Sequence, residues 1–285
     1  MTDEGLAWAD RNLGQPYFLY MHYVDPHADY RAPEPFQGMF ADGYTGDDDR
    51  IKNGRIVELE VRHDRTGEPV ELPTEDVQYL KDKYDEVIAY ADFHIRRLLQ
   101  GLERRGMLEN TLVIITSDHG EEFFEHGVFG HTHQHLYDEL LRVPLIIYAP
   151  EIDENSVIEE QVELLSIAPT IVDILGLKRE LDNFMGRSLL PIIKGEEGGS
   201  ESVISEASRS KISYRTPEWK FILNKETKEY ELYNLHTDPN ERENIAEREK
   251  DKVKEFKKKI IDHEAMMERE RIKRKIRRLR VTKGM

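Results

Sequence analysis

The sequence predicts an α/β chain organised on a doubly wound, mostly parallel sheet, and three stretches predict it. The run Thr111 to Thr116 is six mostly apolar, β-favouring residues that pass without interruption into Ser117-Asp118-His119-Gly120. A second strand-like run, Pro144 to Pro150, follows a polar, histidine-rich loop and a short helical segment. Ahead of both, from Thr74 to Gly106, apolar residues such as Val77, Leu80, Tyr84, Val87, Ala91 and Leu98 recur at helical spacing. Helix then strand is the α/β order. Continuous apolar runs bounded by turn residues suit parallel strands covered on both faces. Sheets of this kind bind ligands at the carboxyl ends of their strands, and Asp118 and His119 fall at such an end.

The remaining elements read in order. Asp3 to Asn12 resembles the last turns of a helix, with Leu6, Ala7 and Trp8 on its apolar side. Gln15 to Tyr23 is an aromatic, apolar run of strand character ending in a second histidine-bearing loop, Asp25-Pro26-His27-Ala28-Asp29-Tyr30. Within residues 45–73 an Asn53-Gly54 turn between alternating residues predicts a hairpin insertion. Ile167 to Gly176 reads as a helix with Pro169 in its first turn and a terminating glycine. Val203 to Ala207 predicts one more strand, Trp219 to Leu223 with Tyr230 to Leu235 an antiparallel pair, and a highly charged helix fills the C-terminal end. The resulting division is an α/β part over residues 1–198, a small antiparallel subdomain over 199–245 and a charged helical tail over 246–285.

Composition narrows the function classes. The 285 residues contain no cysteine, which removes thiolate ligands, thiol nucleophiles and disulfides and accords with a reducing compartment. The start, MTDEGLAWADRN, lacks the basic and apolar regions of a signal peptide, so the chain reads as cytoplasmic. No apolar stretch approaches the roughly 20 residues of a membrane helix, so no membrane span is expected. The net charge of −16 is uneven: residues 250–285 hold fifteen Lys or Arg against six Asp or Glu, net +9, which leaves −25 on the rest. An acidic body repels nucleic acid at long range, and no aromatic side chain interleaves the basic run from Arg269 to Arg280 to stack on bases. No nucleic-acid partner is therefore expected. The tail reads instead as a solvated helix with one apolar stripe that docks on the acidic body or on a partner.

The chemistry concentrates in the loop between the two strand-like runs, where five of the eleven histidines fall within seventeen residues. Asp118 and His119 are adjacent, so they can share one ion only where the backbone bends, which Gly120 permits. A carboxylate with an imidazole suits a divalent cation from manganese or zinc to calcium; the plainer reading is a strand-end cap beside a solvated histidine. His27, in a proline-stiffened loop, has the chemistry to donate to an anionic oxygen or shuttle a proton. His131 follows Gly130 in a similar way, with His126, His133 and His135 competing for the same role.

These residues carry a family resemblance. Ser117-Asp118-His119-Gly120-Glu121-Glu122, then Glu125-His126-Gly127, Gly130-His131 and Leu136-Tyr137-Asp138-Glu139-Leu140-Leu141-Arg142-Val143-Pro144 closely resemble the sulfatase family of the alkaline phosphatase-like superfamily. Asp25 to Tyr30, Ile167 to Asp173 and Leu232-Tyr233-Asn234-Leu235 with Asp238-Pro239 agree in order and spacing. The resemblance implies an alkaline phosphatase-like sheet and hydrolysis of a sulfate ester, in a small molecule or glycan, at a divalent metal, usually Ca2+, with Mn2+ or Zn2+ as alternatives. It makes Asp118 and His119 metal ligands, His119 standing where many members have asparagine. His27 and His131 become the sulfate-binding and proton-transferring groups, His131 standing where many members have lysine, with His126 a further substrate contact.

One departure bears on activity. Family members carry, ahead of the histidine loop, a strand ending in an Asp pair and a Cys- or Ser-x-Pro-x-Arg nucleophile motif, and neither occurs in the 285 residues. The chain thus reads as N-terminally truncated, with its first sheet strands and its nucleophile missing, which leaves its activity alone in question and invites a partner chain to complete the sheet. Two other readings stay open: a phosphodiesterase, phosphonate-ester hydrolase or phosphoethanolamine transferase of the same superfamily, and a non-catalytic remnant or scaffold.

Overall fold

In a computed structural model of the chain, the N-terminal helix spans Thr2–Arg11 (α1) and lies along the long helix Thr74–Glu103 (α2). The structure describes residues 1–41, 43–46, 51, 72–131, 135–150, 152, 155–177, 181, 184–208 and 210–283. They divide into two compact units, Met1–Thr132 with Arg142–Glu154, and His133–Leu141 with Asn155–Met285. The hairpin expected within 45–73 falls almost wholly outside the described residues.

In the first unit the two helices meet because small residues let their axes approach. Gly5 faces Met21 and Leu98, and Gly101 faces Leu6 so closely that a Cβ there would overlap its methyl group. Ala9, Leu98, Leu102 and Met107 are buried at this contact. Arg105 clamps Asp10 through both carboxylate oxygens at 2.8 and 2.9 Å. After the helix, Val113–Thr116 (β1) runs to the histidine-rich loop, which contains the two-residue strands Glu122–Phe123 (β2) and Phe129–Gly130 (β3). The short helix Asp138–Leu141 (α3), which belongs to the second unit, precedes in sequence Leu145–Tyr148 (β4) of the first.

The α/β character follows the sequence, but the strand direction does not. β1 pairs with β4 antiparallel, Ile114 opposite Ile147, and every strand pair among the described residues is antiparallel. An apolar run reports that a strand is covered; it carries no information on which way its neighbour points. Coverage is also one-sided. Along the extended segment 17–23 burial alternates, with Tyr17 and Met21 packed towards α2 while Phe18 and Tyr20 are 79% and 75% exposed. Ile146 and Tyr148 of β4 are likewise exposed.

The second unit is built on a four-stranded meander, Val203–Ala207 (β5), Lys211–Arg215 (β6), Trp219–Asn224 (β7) and Tyr230–Asn234 (β8), in that spatial order. The sequence predicts β5, β7 and β8 but not β6, whose only apolar alternation is Ile212 and Tyr214. The helix Lys250–Lys283 (α6) covers one face with Val253, Phe256 and Ile260, against Ile212, Tyr214, Phe221 and Leu232. Leu136, Ile222, Tyr233 and Leu235 form a separate cluster in the same unit.

The helix Ile167–Ile174 (α4) follows a single 3-10 turn, Leu164–Ser166, and precedes the short helix Leu190–Ile193 (α5). The fully buried Thr170 hydroxyl accepts the backbone N–H of Leu189 at 2.8 Å and so ties the two helices together. Gly186 crosses the Leu165 carbonyl so closely that a Cβ would lie 2.2 Å from its oxygen. Gly186→Ala is therefore expected to lower unfolding stability by about 1–2 kcal/mol, read as a lower urea midpoint with unchanged slope; an unchanged midpoint would show that the contact relaxes freely.

Candidate active site

Three histidines from two loops far apart in sequence meet in the first unit. The rings of His119 and His131 stack at 4.2 Å between centroids, and His27 packs edge-on against His131 at 4.9 Å. Each is held through the same ring atom. Nδ1 of His27 donates to the Ala28 carbonyl at 2.9 Å, and Nδ1 of His119 to the Gly120 carbonyl at 2.8 Å. Nδ1 of His131 meets the Glu121 carboxylate at 2.9 Å. A carbonyl can only accept, so Nδ1 carries the proton in His27 and His119. Their remaining chemistry then belongs to Nε2.

Local backbone features set this up. Where β1 ends, the Ser117 hydroxyl donates to the His119 carbonyl at 2.7 Å and the Asp118 carboxylate accepts the His119 N–H at 3.2 Å. This turn brings Asp118 Oδ1 to 3.9 Å from His119 Nε2. The Asp118 side chain is 77% exposed. For His131 the register of the hairpin decides. Glu122 pairs with Gly130, so Glu121 and His131 are the next residues out on facing strands. Gly130 adopts φ +92° immediately before His131, a conformation a side chain resists.

An aromatic cluster beneath the histidines fixes the two loops to each other. Tyr30, fully buried and three residues beyond His27, contacts Tyr84 of α2 at 5.1 Å, Phe123 of β2 at 5.9 Å and Phe129 of β3 at 6.2 Å. Burial among these rings, with Glu121 and Asp85 nearby, pushes the Tyr84 hydroxyl up to about 12, so it stays a neutral donor across the physiological range. Lys81 of α2 adds an ion pair to Glu125 at 2.7 Å, which holds the hairpin from its other end.

Of the sequence candidates, His27, His119, His131 and Asp118 come together. His126 sits half-buried in the β2–β3 turn beside Gly127 and takes no part in the three-ring stack. His135 belongs to the second unit, against Tyr137 at 5.1 Å, and His133 lies outside the described residues. Glu121, with a side chain only 5% exposed, is the residue that sequence reasoning missed. Its signal is its separation of ten positions from His131, which becomes meaningful only once the hairpin register is known.

A divalent ion can be tested against this donor set. The pair fits half of a site: an oxygen and a nitrogen donor converge, and the second ring nitrogen of His119 donates to a backbone carbonyl, as histidine ligands usually do. Among the described residues no group of three or more His, Asp or Glu is arranged to hold an ion alone.

A sequence profile for the sulfatase family matches residues 1–177, and one for the C-terminal region of N-sulphoglucosamine sulphohydrolase matches residues 124–268. The chain belongs to the sulfatase family. It is 27% identical over 279 residues to arylsulfatase K of Rattus norvegicus, covering 86% of this chain and 48% of that protein. With an N-acetylglucosamine-6-O-sulfatase of Bacteroides thetaiotaomicron it shares 31% over 182 residues, covering 59% of this chain and 32% of the relative. This sulfatase chain thus spans about half the length or less of these curated relatives.

Solved structures agree on the fold. The phosphonate monoester hydrolase of Agrobacterium radiobacter superposes with a TM-score of 0.74 at 21% identity, covering 93% of this chain and 60% of that one. A protein solved with its substrate D-glucosamine-2-N,6-O-disulfate superposes with a TM-score of 0.70 at 20% identity, covering 92% and 68%.

Proposed function

We propose that this chain forms the anion-binding side, and half of the metal site, of a sulfuric ester hydrolase acting on sulfated sugars or similar esters. The observation that carries the reading is the convergence of His27, His119 and His131 in one ring stack with Asp118 3.9 Å from His119 Nε2. Names of relatives and profiles that refer to glucosamine sulfates support the substrate class.

In this reading His131, kept in one orientation by Glu121, donates to a sulfate oxygen, and His27 does the same and moves a proton at the ester oxygen. Asp118 and His119 are the residues that would hold a divalent ion. Such an ion would supply Lewis-acid polarisation of the sulfate and offset its charge. The rest of the metal ligands and the nucleophile are assigned elsewhere, because neither an Asp-Asp strand end nor a Cys- or Ser-x-Pro-x-Arg motif occurs in the 285 residues. Phe18, Tyr20, Ile146 and Tyr148 are exposed apolar side chains, and in this reading a further segment would cover them.

The test is a titration with Mn2+ and Ca2+ followed by calorimetry and by Mn2+ spin resonance. Weak binding is expected, with Asp118→Ala at least tenfold weaker. Affinity untouched by Asp118→Ala sinks the metal assignment, and hydrolysis of an aryl sulfate by this chain alone sinks the view that the nucleophile lies elsewhere. A phosphoryl-transfer reading has one observation in its favour, the fold likeness to phosphonate monoester hydrolases. Tighter binding of phosphate than of sulfate, with both as dianions, would favour it.

A further inference from the structure

The charged helix α6 changes character along its length. Val253, Phe256 and Ile260 are buried against the meander. Beyond Ile260, no residue up to Lys275 whose side chain is described is buried. Among the side chains described, the packing of this helix is thus confined to its first three turns, where the contact is apolar. From Arg269 to Lys283 there are nine Lys or Arg and one Asp or Glu, over a length of roughly 20 Å. Among the side chains described, Arg271 and Lys273 have acidic neighbours on the helix, Glu268 at 3.3 Å and Glu270 at 2.6 Å, in exposed pairs worth little.

We propose that residues 269–283 are a docking arm for a sulfated polysaccharide. The proposal rests on the sulfate-ester reading above and names how a polymeric substrate reaches the site. Residues 1–249 carry −25 and repel a polyanion, so a chain that works on one requires a cationic element, and this segment is the densest one in the sequence. Six of its nine cations are arginines. Their planar forks match the oxygens of a sulfate group and are more weakly hydrated than lysine ammonium groups.

Two other polyanionic surfaces fit less well. The helix after Phe256 has no Phe, Tyr or Trp, so it offers no stacking platform for bases and none of the aromatic anchors of a membrane-surface helix. Its apolar residues in this stretch are only Ile272, Ile276, Leu279 and Val281, too few for a broad lipid-facing side.

The probe is heparin, titrated into the full chain at several NaCl concentrations. Micromolar or tighter binding is expected at 0.1 M NaCl, weakening linearly in log Kd against log salt. The variant Arg269→Gln/Arg271→Gln/Lys273→Gln/Lys275→Gln is expected to bind at least tenfold more weakly, with the salt slope smaller by about 3, since each released counterion contributes roughly 0.7–0.9. These positions lie beyond the packed part of α6, and far-UV circular dichroism confirms that the helix persists. Should helicity fall, the variant Arg269→Lys/Arg271→Lys decides instead, keeping the slope while weakening heparin severalfold.

Unchanged heparin affinity in these variants overturns the proposal. So does binding of de-sulfated heparin, duplex DNA or anionic lipid vesicles as tightly as heparin. Titration of the same variant with inorganic sulfate separates the two readings: intact sulfate binding beside lost heparin binding supports the arm. Heparin binding without sulfate binding at the histidines overturns the proposed function while leaving the arm in place.

Discussion

Asp138→Asn is expected to cost the second unit about 3–5 kcal/mol of unfolding free energy, the penalty for breaking a buried ion network from one side. Asp138 accepts from Arg215 Nη2 and from Lys220 Nζ, both at 2.8 Å. Lys220 is fully buried, and its other partner is Glu241 at 3.0 Å, also buried. Removing the Asp138 charge leaves the buried Lys220 with Glu241 as its remaining carboxylate and takes from Arg215 its carboxylate partner. The measurement is urea unfolding followed by Trp219 fluorescence in a Trp8→Phe background, since Trp8 and Trp219 are the two tryptophans and report on different units. A loss under 1 kcal/mol would show that the network is not needed as a unit.

The same network gives a pH dependence of defined sign. Burial opposes ionisation of Asp138, but Lys220 and Arg215 outweigh it and hold the carboxyl at about 2, below its ordinary 3.8. A lowered pKa stabilises the fold above pH 4, and that contribution, about 2 kcal/mol, is lost as pH falls from about 4 to about 2. Glu241 runs the other way. Burial raises its pKa, with Asp138 adding to the shift and Lys220 opposing it. Its contribution is present below its ordinary 4.5 and is lost as pH rises through its raised value. The stability of this unit is thus expected to peak near pH 4–5; Asp138→Asn should remove the acid limb and Glu241→Gln the decline above it.

That network marks where sequence reasoning stops. Lys220 stands between Trp219 and Phe221 in a strand-like run, where a lysine ordinarily means a solvent-facing position. Its burial depends on Asp138, 82 positions away, and on Glu241, 21 away. The helix from Thr74 was legible because its apolar positions repeat every three to four residues over thirty residues, a signal that needs no partner. The short strand β6 was not, because two apolar residues cannot establish a period. The site divides in the same way. Asp118 and His119 were readable because a strand end followed by glycine is a local pattern. Glu121 was hidden because its role depends on the pairing of two-residue strands, and Tyr30 because its packing joins three separate elements.

Glu121 also gives the sharpest test of how the histidine stack works. His131→Ala removes a charge-assisted donor and is expected to weaken sulfate binding about 10- to 100-fold, the equivalent of roughly 1.5–3 kcal/mol. Glu121→Gln leaves His131 present but replaces its anchoring carboxylate with an amide, and should weaken binding by a smaller factor, about three- to tenfold. A positioning role predicts more than that ranking. In the double variant His131→Ala/Glu121→Gln the loss should match His131→Ala alone, because Glu121 acts only through the imidazole. Sulfate titrations followed by the side-chain NMR signals of His27 and His119 measure all three. Equal and additive losses would mean that Glu121 supports the hairpin, whose Phe123 and Phe129 pack on Tyr30, rather than the orientation of His131.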